Sequence, residues 1–147
     1  MFKRILLAVD GSSISDLALT EAVKLAREQQ AELRIVHVVD RVTFNMDSPI
    51  GVEEFWEAVR KSGQQVLESA KAAAQKARVE VETKLLEVGT MGQRVAELVS
   101  VEAEEWPADL IVIGTHGRRG FSHLLLGSVA ESVIRIATKP VLLVRSE

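Results

Sequence analysis

Two short runs, ILLAV at residues 5–9 and LIVIG at residues 110–114, are apolar at every position. A strand with one face in water alternates apolar and polar side chains. An unbroken run of this length fits a strand covered on both faces, and in parallel sheets that cover comes from crossover helices on either side. The pair therefore commits the chain to an α/β layering.

The segments between the runs supply the helices. Ser13 stands three residues before Asp16, which marks a helix start, and Leu17, Ala18, Ala22, Leu25 and Ala26 follow at helical spacing. LRIVHVV, Leu33 to Val39, is rich in β-branched residues and reads as the second strand, followed by a loop from Arg41 to Ile50 with Asn, Asp, Ser and Pro. A long helix is expected over residues 52–77, with Gly63 marking a bend. VEVETKLLEVG, Val79 to Gly89, alternates apolar and charged residues and reads as an edge strand with one solvated face. MGQRVAELVSVEAEEW reads as the third helix, Asp109 to Gly114 as the fourth strand, Gly127 to Ala137 as the last helix and Val141 to Val144 as the last strand. The order βαβαβαβαβ predicts one domain over residues 1–147, built on a single doubly wound five-stranded parallel sheet of order 3-2-1-4-5. In that order the chain reverses direction between strands one and four, and ligands of open α/β sheets bind beyond the carboxyl ends of the strands at such a switch point.

Composition limits the function classes. The chain has 147 residues, 18 basic against 21 acidic, and a net charge of −3, so no general pull toward nucleic acid or an anionic membrane is expected. Without cysteine it has no disulfides, Cys-based zinc sites or thiol chemistry. The apolar run near the N-terminus is stopped by Asp10 and is too short for a signal peptide, and no segment reaches membrane-spanning length, so a soluble cytoplasmic protein is expected.

The chemistry points to one stretch. Four of the nine glycines, 114, 117, 120 and 127, fall in GTHGRRGFSHLLLGS, directly after the fourth strand. The spacing G-x2-G-x9-G-S, with Gly127-Ser128 opening a helix, suits a phosphate cradle: Gly114 and Gly117 let backbone amides approach an anion, and the helix N-terminus attracts its charge. Ser128 would cap free amides or offer its hydroxyl to the ligand, and Gly120 adds only loop flexibility. A solvent loop ending in a helix cap is the alternative. The lysine of the P-loop is missing, and no GxGxxG turn follows the first strand, where the sequence is VDGSS.

LLAVDGS, HVVD and DLIVIGTHGRRGFSHLLLGSVAESVIRIATKPVLLVR, in this order of elements, resemble the universal stress protein family along essentially the whole chain. The glycine motif is that of the branch of the family that binds ATP. The resemblance implies a Rossmann-like fold of the adenine nucleotide alpha hydrolase-like kind. It also implies a base pocket lined by Ala8 and Val9, with Asp10 toward the ribose or adenine and Val38 meeting adenine through its backbone. By the same resemblance Ile113 would enter the site at the end of the fourth strand. Gly114, Thr115, His116 and Gly117 would wrap the ribose and first phosphate, and Gly127, Ser128 and Val129 would hold the later phosphates. The family further implies a homodimer through the strand Val141 to Val144, whose outer edge would otherwise be apolar and unpaired.

Other readings stand beside these. Asp10 with Gly11 could simply begin a turn. Arg118 and Arg119 could pair with phosphates, although two charged loop residues are more often solvated. His37 and His123 read as structural, His116 as a backbone contributor, and Trp56 and Trp106 as packing residues. No metal-ligand spacing is present, so Mg²⁺ or Mn²⁺ would be held mainly by nucleotide phosphates. The function expected is a nucleotide-responsive regulatory module with at most slow ATP hydrolysis and no catalytic residue. An ATP-hydrolysing or adenylyl-transferring enzyme of the same fold and a nucleotide-free interaction dimer are the alternatives.

Overall fold

The two apolar runs lie side by side at the centre of the sheet. In the computed structural model, which describes residues 1–40, 51–88, 94–116 and 126–146, the elements are β1 (Arg4–Ala8), α1 (Ser13–Gln29), β2 (Glu32–Asp40), α2 (Val52–Lys76), β3 (Val81–Val88), α3 (Val95–Glu105), β4 (Leu110–Gly114), α4 (Ser128–Ile136) and β5 (Val141–Val144). All pairings are parallel and the strand order is β3-β2-β1-β4-β5. The expected fold class and order are thus observed. Leu7 pairs with Ile35 on one side and Val112 on the other, so β1 and β4 meet at the switch point.

Alternation along each central strand builds two cores. Ile5, Leu7, Ile35 and Val112 face α1 and α2, where they meet Ala18, Ala22, Ala26, Leu67, Ala70 and Ala74. Leu6, Val36, Ile111 and Ile113 face α3 and α4, against Ala96, Val99, Ala103, Trp106 and Val133. Small alanines on the helices bring their axes close to the sheet, which is why a chain with few aromatics fills both layers. Both tryptophans are buried, as expected of packing residues. At the bottom of the sheet Asp109 Oδ2 accepts the amides of Lys3 and Arg4 at 2.8 and 3.0 Å, and these bonds hold its carboxyl below the usual carboxylate range.

Three local expectations change. Helix α1 is capped by Ser12, whose hydroxyl accepts from Ser15 N–H at 3.1 Å, with Ser13 the first helical residue. Helix α2 runs continuously through Gly63, which is buried: an added Cβ would stand 2.8 Å from Leu85 Cδ1 and 3.0 Å from His37 Cδ2. That glycine serves close helix–sheet approach. The charged face of β3 is only partly solvated, since Glu82 and Lys84 join an ion network with Arg34 of β2 and Glu102 of α3, whose side chain is 4% exposed.

Helices α1 and α2 end in left-handed turns without glycine. Gln30 has φ 55° and Arg78 has φ 63°. Their following residues close the ends, Ala31 N–H to Ala26 O at 2.8 Å and Val79 N–H to Ala74 O at 3.1 Å, the bond pattern of a Schellman motif. A side chain in this region costs about 1 kcal/mol that glycine avoids. Gln30→Gly and Arg78→Gly should each raise the unfolding free energy by about 0.5–1 kcal/mol, measured as an increased denaturant midpoint at constant slope. Loss of stability in both would show that the side chains themselves hold these ends.

Candidate functional site

Above the carboxyl ends of β1 and β4 the chain turns twice, and the two turns are built differently. After β1, Val9 N–H still reaches Val36 O at 2.9 Å, and the backbone then opens into Asp10-Gly11. Gly11 takes φ 82°, a conformation that favours glycine. Asp10 Oδ1 accepts the Ser12 amide at 2.9 Å, and Asp10 N–H donates to the buried Ser15 hydroxyl at 3.0 Å. The turn role weighed for Asp10 is therefore present, at the place where a ligand role was also expected.

After β4 the backbone is locked to two neighbours at one residue. Thr115 N–H donates to Val144 O of β5 at 2.9 Å, and Thr115 O accepts Gly127 N–H at 2.7 Å. Thr115 is 6% exposed, and its hydroxyl lies 3.0 Å from His116 Nδ1. The second bond draws the start of α4 against the end of β4. An added Cβ at Gly127 would sit 2.9 Å from Thr115 O and 3.3 Å from His116 Cα. At φ −65° Gly127 could be any residue by torsion alone, so its constraint is close approach. Gly114 is likewise a packing position: its Cβ would meet Ile14 Cγ2 at 2.7 Å. That contact is with α1, a neighbour that spacing along the chain could not reveal.

Gly127 itself is the N-cap of α4, with no side-chain cap, and Ser128 is the first residue of the helix. The capping role expected for Ser128 is not observed, because a residue inside the helix is past the position from which a hydroxyl caps. Glu131 N–H bonds to Gly127 O at 3.0 Å and is the first helical donor, so the amides of Ser128, Val129 and Ala130 lie before it and have no acceptor within the helix. They point out of the helix end with the positive end of its dipole. Ser128 is exposed, and Val129 is half-buried against the α3/α4 core.

The remaining expected residues fall around this junction. Ala8 and Val38 are half-buried on the α3/α4 side of the sheet, and Ile113 is 7% exposed there. Gly117, Arg118, Arg119, Gly120 and His123 lie outside the described residues, as does the loop 41–50. His37, read as structural, places Nδ1 2.8 Å from Val9 O. Among the described residues no cluster of three or more His, Asp or Glu side chains is placed to hold a metal ion, and no helix is long and apolar enough to cross a membrane.

The switch point thus lies beside the N-termini of α1 and α4, with Gly114 at the end of β4 and Gly127 at the mouth of α4. The sequence profile of the universal stress protein family matches residues 1–145. The chain belongs to the universal stress protein family. Universal stress protein YxiE of Bacillus subtilis is 38% identical over 153 residues, covering 99% of this chain and 100% of that protein. Among solved structures, a universal stress protein family member from Burkholderia pseudomallei superposes with a TM-score of 0.79 at 33% identity, covering 99% of this chain and 97% of the other. The universal stress protein of Archaeoglobus fulgidus, solved in complex with dAMP, is 28% identical with a TM-score of 0.69, covering 97% and 98%.

Proposed function

We propose that this universal stress protein binds an adenine nucleotide, with ATP the leading ligand, across the switch point between β1 and β4. The observation that carries the reading is the Thr115–Gly127 clamp. It fixes the uncapped amides of Ser128 and Val129 beside the carboxyl end of β4, where an anion finds donors and a helix dipole together. The base then docks against Ala8, Val9, Asp10 and Val38, the ribose and first phosphate against Gly114 to Gly117, and the later phosphates against Gly127 to Val129. The dAMP complex of the Archaeoglobus fulgidus relative supports the same ligand class. A divalent cation, Mg²⁺ or Mn²⁺, would arrive on the phosphates.

The protein works as a cytoplasmic regulatory module whose interactions depend on nucleotide state. Hydrolysis is slow at most, because the sequence has no P-loop lysine and no side chain stands out as a base for attacking water. The reading includes a homodimer, supported by the outer edge of β5, which among the described residues pairs with β4 alone and exposes Leu142 at 38%. A second copy pairing there makes a two-fold interface.

The test is to release ligand from purified protein, identify it by mass spectrometry, and titrate ATP into wild type and Gly117→Val. Expected are an adenine nucleotide in the released fraction, saturable ATP binding by wild type and its loss in the variant. Absence of adenine nucleotide in both release and titration overturns the reading. Turnover many times per minute would favour an enzyme, and a monomer at micromolar concentration by light scattering would remove the dimer.

A further inference from the structure

The Val9–Asp10 peptide unit, the first beyond β1, is held by side chains at both of its polar ends. Its amide, Asp10 N–H, donates to Ser15 Oγ at 3.0 Å. Its carbonyl, Val9 O, stands 2.8 Å from His37 Nδ1. A carbonyl oxygen can only accept, so Nδ1 carries the proton and donates. The registered pairing of β1 with β2 ends at Ala8 and Val36, so the imidazole extends the link between these strands beyond the ladder.

The ring is also backed from the far side. Gly63 of α2 comes so near that an added Cβ would lie 3.0 Å from His37 Cδ2, and His37 itself is half-buried. A ring between a helix and a carbonyl has little freedom to turn away. The peptide plane it holds is the one against which the nucleotide base is proposed to dock, so this inference rests on that reading. We infer that His37 is a positioning residue for the base end of the nucleotide site, pinning the Val9 carbonyl so that the Val9–Asp10 backbone meets the base in one orientation.

The prediction separates the two ends of the ligand. His37→Leu fills the space without a donor, whereas His37→Asn returns an N–H close to where Nδ1 stood. Binding of adenosine, of ATP and of inorganic tripolyphosphate would be measured by calorimetry on the three full-length proteins, with folding checked by circular dichroism. Expected for His37→Leu is a Kd for adenosine and ATP weakened about tenfold, the scale of one lost and unreplaced buried hydrogen bond, with tripolyphosphate unchanged. His37→Asn should recover to within about threefold of wild type. Equal affinities in wild type and His37→Leu overturn the role of His37 and leave the nucleotide reading standing. So does equal weakening of adenosine and tripolyphosphate, or a folded His37→Asn that recovers nothing. Wild type that binds neither adenosine nor ATP overturns both.

Discussion

Replacing Glu102 with alanine should lower the unfolding free energy by about 3 kcal/mol, the largest stability effect expected from any charged residue described. Both carboxylate oxygens are committed: Oε2 accepts from Arg34 Nη1 at 2.5 Å and Oε1 from Lys84 Nζ at 2.9 Å. The guanidinium also donates to Glu82 through Nε at 3.0 Å and Nη2 at 2.7 Å, and its carbon lies 4.7 Å from the Trp106 ring centroid. Lys84 is half-exposed, so on losing Glu102 it can turn to water at little cost. Arg34 cannot, since its side chain is only 18% exposed and lies over the indole. The penalty is mainly that of a largely covered cation deprived of its buried partner. Removing one member of such a pair costs about 3–5 kcal/mol, and the retained Glu82 places this case at the lower end. Chemical denaturation of Glu102→Ala should show the loss at constant slope. The pair Arg34→Met/Glu102→Leu should recover most of it, because exchanging both charges for apolar groups removes the desolvation burden together with the attraction. A loss under about 1 kcal/mol for Glu102→Ala would mean that water already reaches Arg34 and the network is an ordinary surface one.

Gly127→Ala should weaken ATP binding at least tenfold and cost about 1–2 kcal/mol of stability. The added carbon meets two backbone groups, Thr115 O at 2.9 Å and His116 Cα at 3.3 Å, neither of which can rotate away like a side chain. Relief requires the start of α4 to back off, stretching the 2.7 Å bond from Gly127 N–H to Thr115 O. The amides of Ser128 and Val129 move with it, and a few tenths of an ångström at an anion site is enough to degrade short charge-assisted hydrogen bonds. Gly51→Ala is the control. Gly51 is also a helix N-cap, at φ −67°, but an added Cβ there meets nothing within 4 Å, so ATP affinity should not change. If Gly127→Ala binds ATP like wild type while folded, the mouth of α4 is not where the phosphates sit.

The residues involved in these two variants differ in how far the sequence announced them. Gly127 was legible: a glycine and a serine opening a helix after a buried strand is a local pattern, and its spacing from Gly114 and Gly117 runs along one stretch of chain. Its physical reason was not, because the contact is with Thr115 and His116 folded back against it. Gly114 repeats the lesson, since the group it makes room for is Ile14, one hundred residues earlier in the chain. Glu102 was not legible at all. It sits in VEAEEW beside two other glutamates, and nothing local separates the buried one from its solvated neighbours.

By itself the sequence determined the layering and the strand order. Unbroken apolar runs at β1 and β4 demand cover on both faces, alternation in β3 assigns it to an edge, and right-handed crossovers leave one switch point for a ligand. These follow from periodicity, which is a property of neighbours along the chain. The tertiary structure decided what periodicity cannot carry: that Glu102 meets Arg34 across 68 positions of sequence, that Ser12 rather than Ser13 caps α1, and that His37 reaches the Val9 carbonyl beneath Gly63. Each depends on which surfaces two separate elements present at a few ångströms, and that distance is fixed only when the helices settle on the sheet.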